Sequence, residues 1–456
     1  MTPEPALTWD LVAAGRPQGR PVYDRPAPLP GPVLPLPYPG TLPLAGSEAD
    51  VAAAAAGLDP LTAVTAVADG TLGMRRLEPR DLVGPHAATA SVRGVRAARL
   101  TLTSAGHTAE YDPVRHAAAP AGAGFVPAGL RLEADVTRVP AGYAPVREVV
   151  GLLEAGMHHA TAAWLMALLL PEWVRKGAAA VTPGRCPVSA WQAPGPAPAP
   201  APRPAPASVP GPVWPFDPTR FARPFGALLG RTGVLDALCR RSAGRGPLGL
   251  APARLPDPRG PHALTELLRA AAADLGLPVV TPGTGARGGA GRTTPEAAPL
   301  RLLPVAPAAV AAAFTYPADR VDAAACDVGF VLAARRNPAH APAVVCGALL
   351  AAGACYQRLA LAAGAHGYFL RPVRSVRAPE LAASAGLRSD EAVLLTLLGG
   401  RSRYTELSLP VGAPFQPLAT EGEGSLHGRL VATDGRGAWR GGGELDGSDR
   451  GGVRPR

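Results

Sequence analysis

Lysine is almost missing from this chain. Lys176 is the only one in 456 residues, and every other basic side chain among the 45 is arginine. No run of five basic residues occurs, and aromatic residues make up only 5% of the sequence. The net charge of +10 is therefore scattered, and a nucleic-acid partner, which needs a basic track with interleaved aromatics, is not expected. Cysteine is also scarce. Cys186, Cys239, Cys326, Cys346 and Cys355 are odd in number and contain no C-x-x-C pair, so neither a zinc site nor a disulfide framework is indicated. Reduced, cytosolic thiols are the default. The opening "MTPEPALTWDLV" has no basic region followed by an apolar core, so no signal peptide is visible. The longest strongly apolar run, "ATAAWLMALLL" from Ala160, falls well short of the ~20 residues that cross a bilayer. The expectation is a cytoplasmic chain without a membrane partner.

Glycine and proline, in contrast, are abundant, at 54 and 55 residues, and they concentrate in a few places. That pattern divides the chain into folded blocks and structureless ones. Residues 1–44 read as an extended arm, 45–190 and 214–430 as folded blocks, 191–213 as a linker and 431–456 as a disordered tail. The linker holds "APGPAPAPAPRPAPASVPGP" (193–212), whose alternating prolines favour a stiff polyproline-II spacer. A further segment from Thr281, "TPGTGARGGAGRTTPEAA", reads as a flexible loop.

In the first block "AARLTLTSA" alternates as a strand, "AEYDPVRHAAAP" reads as a hairpin corner and "GLRLEADVTRV" as another strand. A helix is predicted over Val146–Leu170. The second block is predicted to hold helices over Phe225–Arg241, Pro261–Leu275 and Val344–Ala363. Its strands are "PLRLLPVA", "DVGFVLAA", "YFLRPV" and "EAVLLTLLGG". Both blocks mix helices with short antiparallel strands, an α+β signature. "YAPVREVVGLLEAGMHHATAA" from Tyr143 aligns without gaps with "HAPAVVCGALLAAGACYQRLA" from His340, and 7 of 21 positions match, Gly156/Gly353 among them. With strand, loop and helix in the same order in each block, duplication is favoured.

These parts resemble the FMN-dependent nitroreductase-like family. "CRRSAGRGPLG" is similar to its R-x-S-x-[RK] phosphate motif, and "LLAAGACYQRLALAAGAHGYFLRPV" to its A-G-x-x-x-Q helix and following strand. "DEAVLLTLLGGRSRYTE" resembles its closing strand with a glycine pair and basic residues, and "AEYDPVRHAAAP" the Y-D-P hairpin of the SagB-like azoline dehydrogenases. The resemblance implies an α+β nitroreductase-like fold with two tandem halves forming a pseudo-dimer, either as a monomer or within a homodimer. It implies FMN as cofactor and oxidation of thiazoline or oxazoline rings in a ribosomally made peptide, of the thiopeptide type. The partners implied are the modified precursor peptide and a cyclodehydratase complex.

The FMN phosphate is a dianion, and arginine offers it a planar fork of donors. Arg240, Arg241, Ser242 and Arg245 form one candidate cluster, with Gly244 where the second cation is expected. Arg401, Ser402 and Arg403 form another. The same arginines can equally be solvated surface groups. Gln357 is placed to reach a flavin or a backbone group, while Gly156 and Gly353 suit close helix packing. The family's Lys-Tyr pair finds Tyr143 preceded by Gly142, and the equivalent offset in the second block falls on His340. Either is a candidate proton carrier or an ordinary loop residue. His158 and His159, about 100° apart on a helix, read as core-edge and surface residues and not as metal ligands. A flavin-free scaffold and a general nitro- or quinone reductase remain the alternatives. "TASVRGVRAARLTL" stands where a Pro-Ser-Gly-Gly stretch is expected, which leaves the first half open as a structural pseudo-subunit.

Overall fold

Short alternating strands and two long apolar helices set the layout of the computed structural model. It describes residues 7–13, 34–35, 44–77, 85–91, 97–104, 107–113, 117–119, 127–140, 143, 146–176, 185–194, 218–244, 260–279, 300–315, 322–401 and 409–410. Helix α1 (Trp9–Ala13) and strand β1 (Leu34–Pro35) come first, then α2 (Glu48–Ala55) and α3 (Pro60–Leu72). Ser47 and Asp50 close a capping box on α2, while Asp59 caps α3 ahead of a proline in its first turn. Next are β2 (Met74–Leu77), β3 (Pro85–Ala87), β4 (Ala98–Ser104), β5 (His107–Asp112), β6 (Ala117–Ala119) and β7 (Gly129–Asp135). Helix α4 (Arg147–Leu169), β8 (Val174–Lys176) and β9 (Arg185–Gln192) complete the first half.

The second half runs α5 (Val234–Arg240), α6 (Gly260–Asp274), β10 (Arg301–Val305), α7 (Pro307–Ala313) and β11 (Val328–Arg335). It continues with α8 (Pro342–Ala365), β12 (Phe369–Val373), α9 (Ala378–Ser384), β13 (Glu391–Gly400) and β14 (Leu409–Pro410). The class is α+β, as expected.

The two halves share a connectivity. The first sheet is ordered β1-β6-β5-β4-β7-β9-β8 and the second β10-β11-β13-β12, all antiparallel. Without β1, β5 and β6, the first reads β4-β7-β9-β8, and each strand has a counterpart in the same chain order around one long helix. An irregularity recurs too. Pairing slips after Leu132 so that Val188 is extra in β9, and after Leu332 so that Leu394 is extra in β13. A β-bulge is a specified feature, so its recurrence argues for one unit used twice.

Helices α4 and α8 lie side by side, parallel and in register. A Cβ on Gly156 would sit 2.1 Å from the Leu350 carbonyl oxygen, and one on Gly353 would sit 1.9 Å from that of Leu153. Leu153 and Leu350 are equivalent positions, as are Gly156 and Gly353, so this is one contact seen from both halves, the mark of an isologous pair. Farther along, Gln357 Nε2 donates to Thr161 Oγ1 at 3.1 Å. Both helices are buried on nearly every side. By length and composition α8 could cross a membrane, but 89% of its apolar stretch is buried inside the protein, as in a core helix.

The halves also exchange their ends. Helix α1 packs on the second half, where Trp9 Nε1 donates to His340 Nδ1 at 3.2 Å and Arg374 Nη2 to the Val12 carbonyl at 2.6 Å. A 3-10 turn, Pro218–Ala222, packs on the first half with Phe221 edge-on to His159. Strand β14 pairs with β2. One continuous apolar core accordingly runs from Leu7 to Leu397 through both halves.

Three expectations change. The helix predicted over Phe225–Arg241 is two pieces, a 3-10 turn at Gly226–Leu229 and α5, because Gly230 adopts a φ of +60° between them. The arm predicted as extended contains α1, whose buried Trp9 and Val12 bond to His340 and Arg374 of the second half. His158 and His159 are both buried, since α4 has no solvent face; His159 Nδ1 lies 2.8 Å from Ser189 Oγ and His158 Nδ1 2.8 Å from the Glu154 carbonyl. The predicted linker beyond residue 194, the loop from Thr281 and the tail from 431 lie outside the described residues.

Burial also sets an alkaline limit. Desolvation pushes the Cys355 and Cys326 thiols up to about 12, from an ordinary value of 9.0. In the unfolded chain both ionise near 9 while the folded chain keeps them protonated, so stability is full below pH 9 and falls as pH rises towards 12. Each thiol contributes a loss of up to about 1.4 kcal/mol per pH unit in that window. The urea midpoint is expected to drop between pH 8.5 and 10.5, and the drop should be shallower in Cys355→Ala. An identical slope in the variant would refute the assignment.

Candidate functional site

The start of β12 lies between the turn that carries Arg240, Arg241 and Ser242 and the chain that carries Arg401. Helix α5 ends in Arg240, and the chain turns there because Arg241 leaves the helical region. The Ser242 carbonyl accepts a hydrogen bond from Leu370 N of β12 at 3.0 Å, and Arg371 Nη1 donates to the Ala243 carbonyl at 3.3 Å. On its other side β12 pairs with the end of β13, Phe369 opposite Gly400 and Leu370 opposite Gly399. Arg401 follows directly; its guanidinium lies 5.2 Å from the Tyr368 ring centroid, with Nη2 3.5 Å from the Tyr368 hydroxyl. The turn at 240–244 and the chain leaving β13 therefore flank the first residues of β12.

Within this cluster the arginines divide by role. Arg240 is partly exposed and lies 3.6 Å from Asp236, a contact one turn away on the same helix. Such exposed pairs are weak and readily exchanged for another anion. Arg241 is buried, with Nε donating to the Ala88 carbonyl at 2.7 Å and Nη2 to the Ala87 carbonyl at 2.9 Å. Ser242 Oγ accepts from Gly244 N at 3.2 Å. Gly244 has a φ of +85°, so this turn favours glycine at the position where the sequence pattern expects a cation. Arg245, Ser402 and Arg403 lie outside the described residues.

Gln357 is fully buried and links the halves. Its Nε2 donates to the Ala88 carbonyl and to Thr161 Oγ1, both at 3.1 Å, and its Oε1 accepts from Ala90 N at 3.3 Å. The same stretch is held by Glu154 of α4, which accepts from Ser91 Oγ at 2.9 Å and from Ala97 N at 2.6 Å. Residues 87–91 and Ala97, the described residues at the start of "TASVRGVRAARLTL" and just ahead of it, are thus held by interior polar side chains from α4, α8 and the Arg241 turn.

The proposed proton carriers lie elsewhere. Tyr143 is buried ahead of α4, and His340 is partly buried ahead of α8. Because the helices are parallel, both sit at the N-terminal end of the pair, whereas Tyr368 N bonds to the Ala363 carbonyl at the C-terminal end of α8. A helix of 24 residues is about 36 Å long, so neither side chain reaches the arginine cluster. His340 Nδ1 also accepts the Trp9 indole proton, which places the imidazole proton on Nε2 and leaves no lone pair free. The structure places Arg240, Arg241 and Ser242 on one side of the start of β12 and Arg401 on the other, and leaves Tyr143 and His340 at the opposite end of the helix pair.

Sequence reasoning missed Tyr368, Arg371 and Tyr356, which join this cluster. The Tyr356 hydroxyl donates to the Leu370 carbonyl at 2.9 Å, and burial pushes its ionisation up against the opposing pull of Arg241 and Arg371. The signal was available in part, since Tyr368 opens the predicted "YFLRPV" strand and Arg371 lies within it. The hairpin motif is present as built structure: β5 pairs with β6 through Asp112 and Ala117, and the buried Tyr111 hydroxyl donates to Asp69 Oδ1 at 2.8 Å.

No family model matches the chain, and no curated protein does. Among solved structures, a protein of Anabaena variabilis assigned as a nitroreductase aligns over 75% of this chain and 88% of its own, with 11% identity and a TM-score of 0.48. One of Ralstonia eutropha with the same assignment aligns over 39% of this chain and 92% of its own, with 18% identity and a TM-score of 0.22.

Proposed function

We propose that this chain is a nitroreductase-like flavin oxidoreductase, with residues 45–190 and 214–430 as its two halves. The observation that carries the reading is the convergence of two arginine segments on the first residues of β12. Arg240 and Arg401 supply separate, partly exposed cations there, and Tyr368 supplies an aromatic face beside one of them. That set fits a phosphate dianion, and Arg245, Ser402 and Arg403 adjoin it in sequence. Bound FMN would supply a two-electron acceptor for hydride. The chain's own residues would anchor the phosphate and, through the segment at 87–90, wall the site from the first half.

The substrate proposed is a thiazoline or oxazoline ring in a modified precursor peptide, delivered beside a cyclodehydratase. The Y-D-P hairpin and the tandem architecture support this finer reading. A second reading is a flavin-free scaffold of the same lineage. It is favoured by Arg241 and Gln357, whose polar groups bind the backbone of the other half, and by the remoteness of Tyr143 and His340.

Absorbance of the purified full chain, with FMN titration, separates the two. A flavin spectrum, or saturable FMN binding, is expected. Arg240→Ala and Arg401→Ala should each weaken FMN binding by about 10- to 100-fold, the effect of losing a charged hydrogen bond of ~1.5–3 kcal/mol. Arg241→Ala should lower stability instead. A colourless protein that takes up no FMN selects the scaffold, and unchanged affinity in both variants overturns the phosphate assignment. With flavin bound, an azoline peptide should lose two hydrogens by mass spectrometry; its absence would redirect the activity to small nitro- or quinone substrates.

A further inference from the structure

Two thiols from different halves meet at the far end of the helix pair from the arginine cluster. Cys186 is the second residue of β9 and Cys346 lies in the second turn of α8, 160 residues later, yet their sulfurs are 3.5 Å apart. Both are free thiols; Cys186 is buried and Cys346 is partly exposed. We propose that Cys186 and Cys346 form a reversible disulfide that ties the first half to α8 when the protein meets a peroxide.

The geometry is close to what the bond needs. A disulfide has an S–S length of about 2.05 Å, so the sulfurs must approach by roughly 1.5 Å from their present 3.5 Å to bond. Cys346 is the more accessible partner and takes the oxidant. Its thiolate attacks one peroxide oxygen, an S–O bond forms, the O–O bond breaks and hydroxide leaves to collect a proton. Cys186 then attacks the sulfenic sulfur, an S–S bond forms, the S–O bond breaks and water departs with the Cys186 proton. One peroxide is reduced to two waters and two thiols are oxidised, and an external dithiol reverses the product by exchange.

The hydrogen bond with the adjacent Cys186 thiol, and then burial, hold Cys346 well above the ordinary thiol range, so little thiolate is present at neutral pH. The pair therefore stays reduced under mild conditions and responds to strong or sustained oxidant. Once formed, the bond joins β9 to the helix that carries the contact between the halves, in a chain whose core is continuous across them.

The test uses the full chain and hydrogen peroxide, and it is independent of flavin. Peptide mapping without reductant should show one new species containing Cys186 and Cys346, lighter by two hydrogens and abolished by dithiothreitol. The closed loop should migrate faster on a non-reducing gel, and the thermal midpoint should rise. Cys186→Ser and Cys346→Ser should each remove the species while leaving Cys326 and Cys355 unlabelled by alkylating agents in the folded state. Oxidation that stops at sulfinic acid on Cys346, or a crosslink between any other pair, would overturn the proposal. The wild-type map decides even if a serine variant fails to fold.

Discussion

Gly353→Ala is expected to lower stability by about 3 kcal/mol or more, the upper range for forcing an extra methyl into a packed interior. Its Cβ would lie 1.9 Å from the Leu153 carbonyl oxygen, and that neighbour is backbone, so no side-chain rotation can yield. The helices must separate, and every contact between the halves loosens with them. Gly156→Ala should cost a similar amount, because its Cβ meets the Leu350 carbonyl at 2.1 Å in the equivalent position. Gly57→Ala is the control: the nearest atom is 3.9 Å away, and the change should stay within about 0.5 kcal/mol. Urea denaturation of the three variants measures this. Since one core spans both halves, the loss should appear as a shifted single transition rather than as the melting of one half. Alanine at 353 with an unshifted midpoint would refute the close helix contact.

The long helices were legible because length and an unbroken apolar composition suffice to mark them. The predicted Val146–Leu170 and Val344–Ala363 match α4 and α8 to within two residues at each end. Periodicity could not say which faces they bury, because nearly all faces are buried; hence His158 and His159 were read as core-edge and surface residues when both are buried. The repeat was visible as matched glycines, but the recurring bulge was not, since Val188 and Leu394 carry no sequence mark of being extra. Arg240 and Arg241 are adjacent and identical in the sequence, and only tertiary packing leaves one partly exposed beside Asp236 and commits the other to the carbonyls of 87–88. The partners of Gln357 lie more than 190 residues away, beyond the reach of any local pattern. Trp9, in a proline-crowded arm, became helical only through docking on the other half.

The second large effect is expected at Arg358, which follows Gln357 on α8 yet has a different task. Its guanidinium is buried, 3.5 Å from the Phe225 ring centroid, with Nη1 2.6 Å from the Arg223 carbonyl and Nη2 3.4 Å from that of Pro224. Asp274 lies 3.3 Å from Nη2. Burial brings this arginine down to about 10, opposed by Asp274 and Glu48, so it remains charged at neutral pH. Glu48, the first residue of α2, grips the same segment by its donors: Oε1 accepts from Phe225 N and Trp164 Nε1, both at 2.7 Å, and Oε2 accepts from Gly226 N at 2.8 Å. Carbonyls at 223–224 and amides at 225–226 are thus held by opposite charges from opposite halves. Arg358→Ala should cost about 3 kcal/mol or more, because it empties a packed site over Phe225 and leaves the Arg223 and Pro224 carbonyls without their donor. Arg358→Lys should recover only part of it, since an ammonium cannot span two carbonyls and lie flat on the phenyl ring. Glu48→Gln should cost about 1–3 kcal/mol, because its amide sets a donor against a backbone donor. Because both side chains hold one segment, freeing it once leaves less to lose: the double variant should fall short of the summed single losses by about 1 kcal/mol or more. Strict additivity in that cycle would mean that the two grips act independently, and that residues 223–226 are not the joint through which the halves are locked.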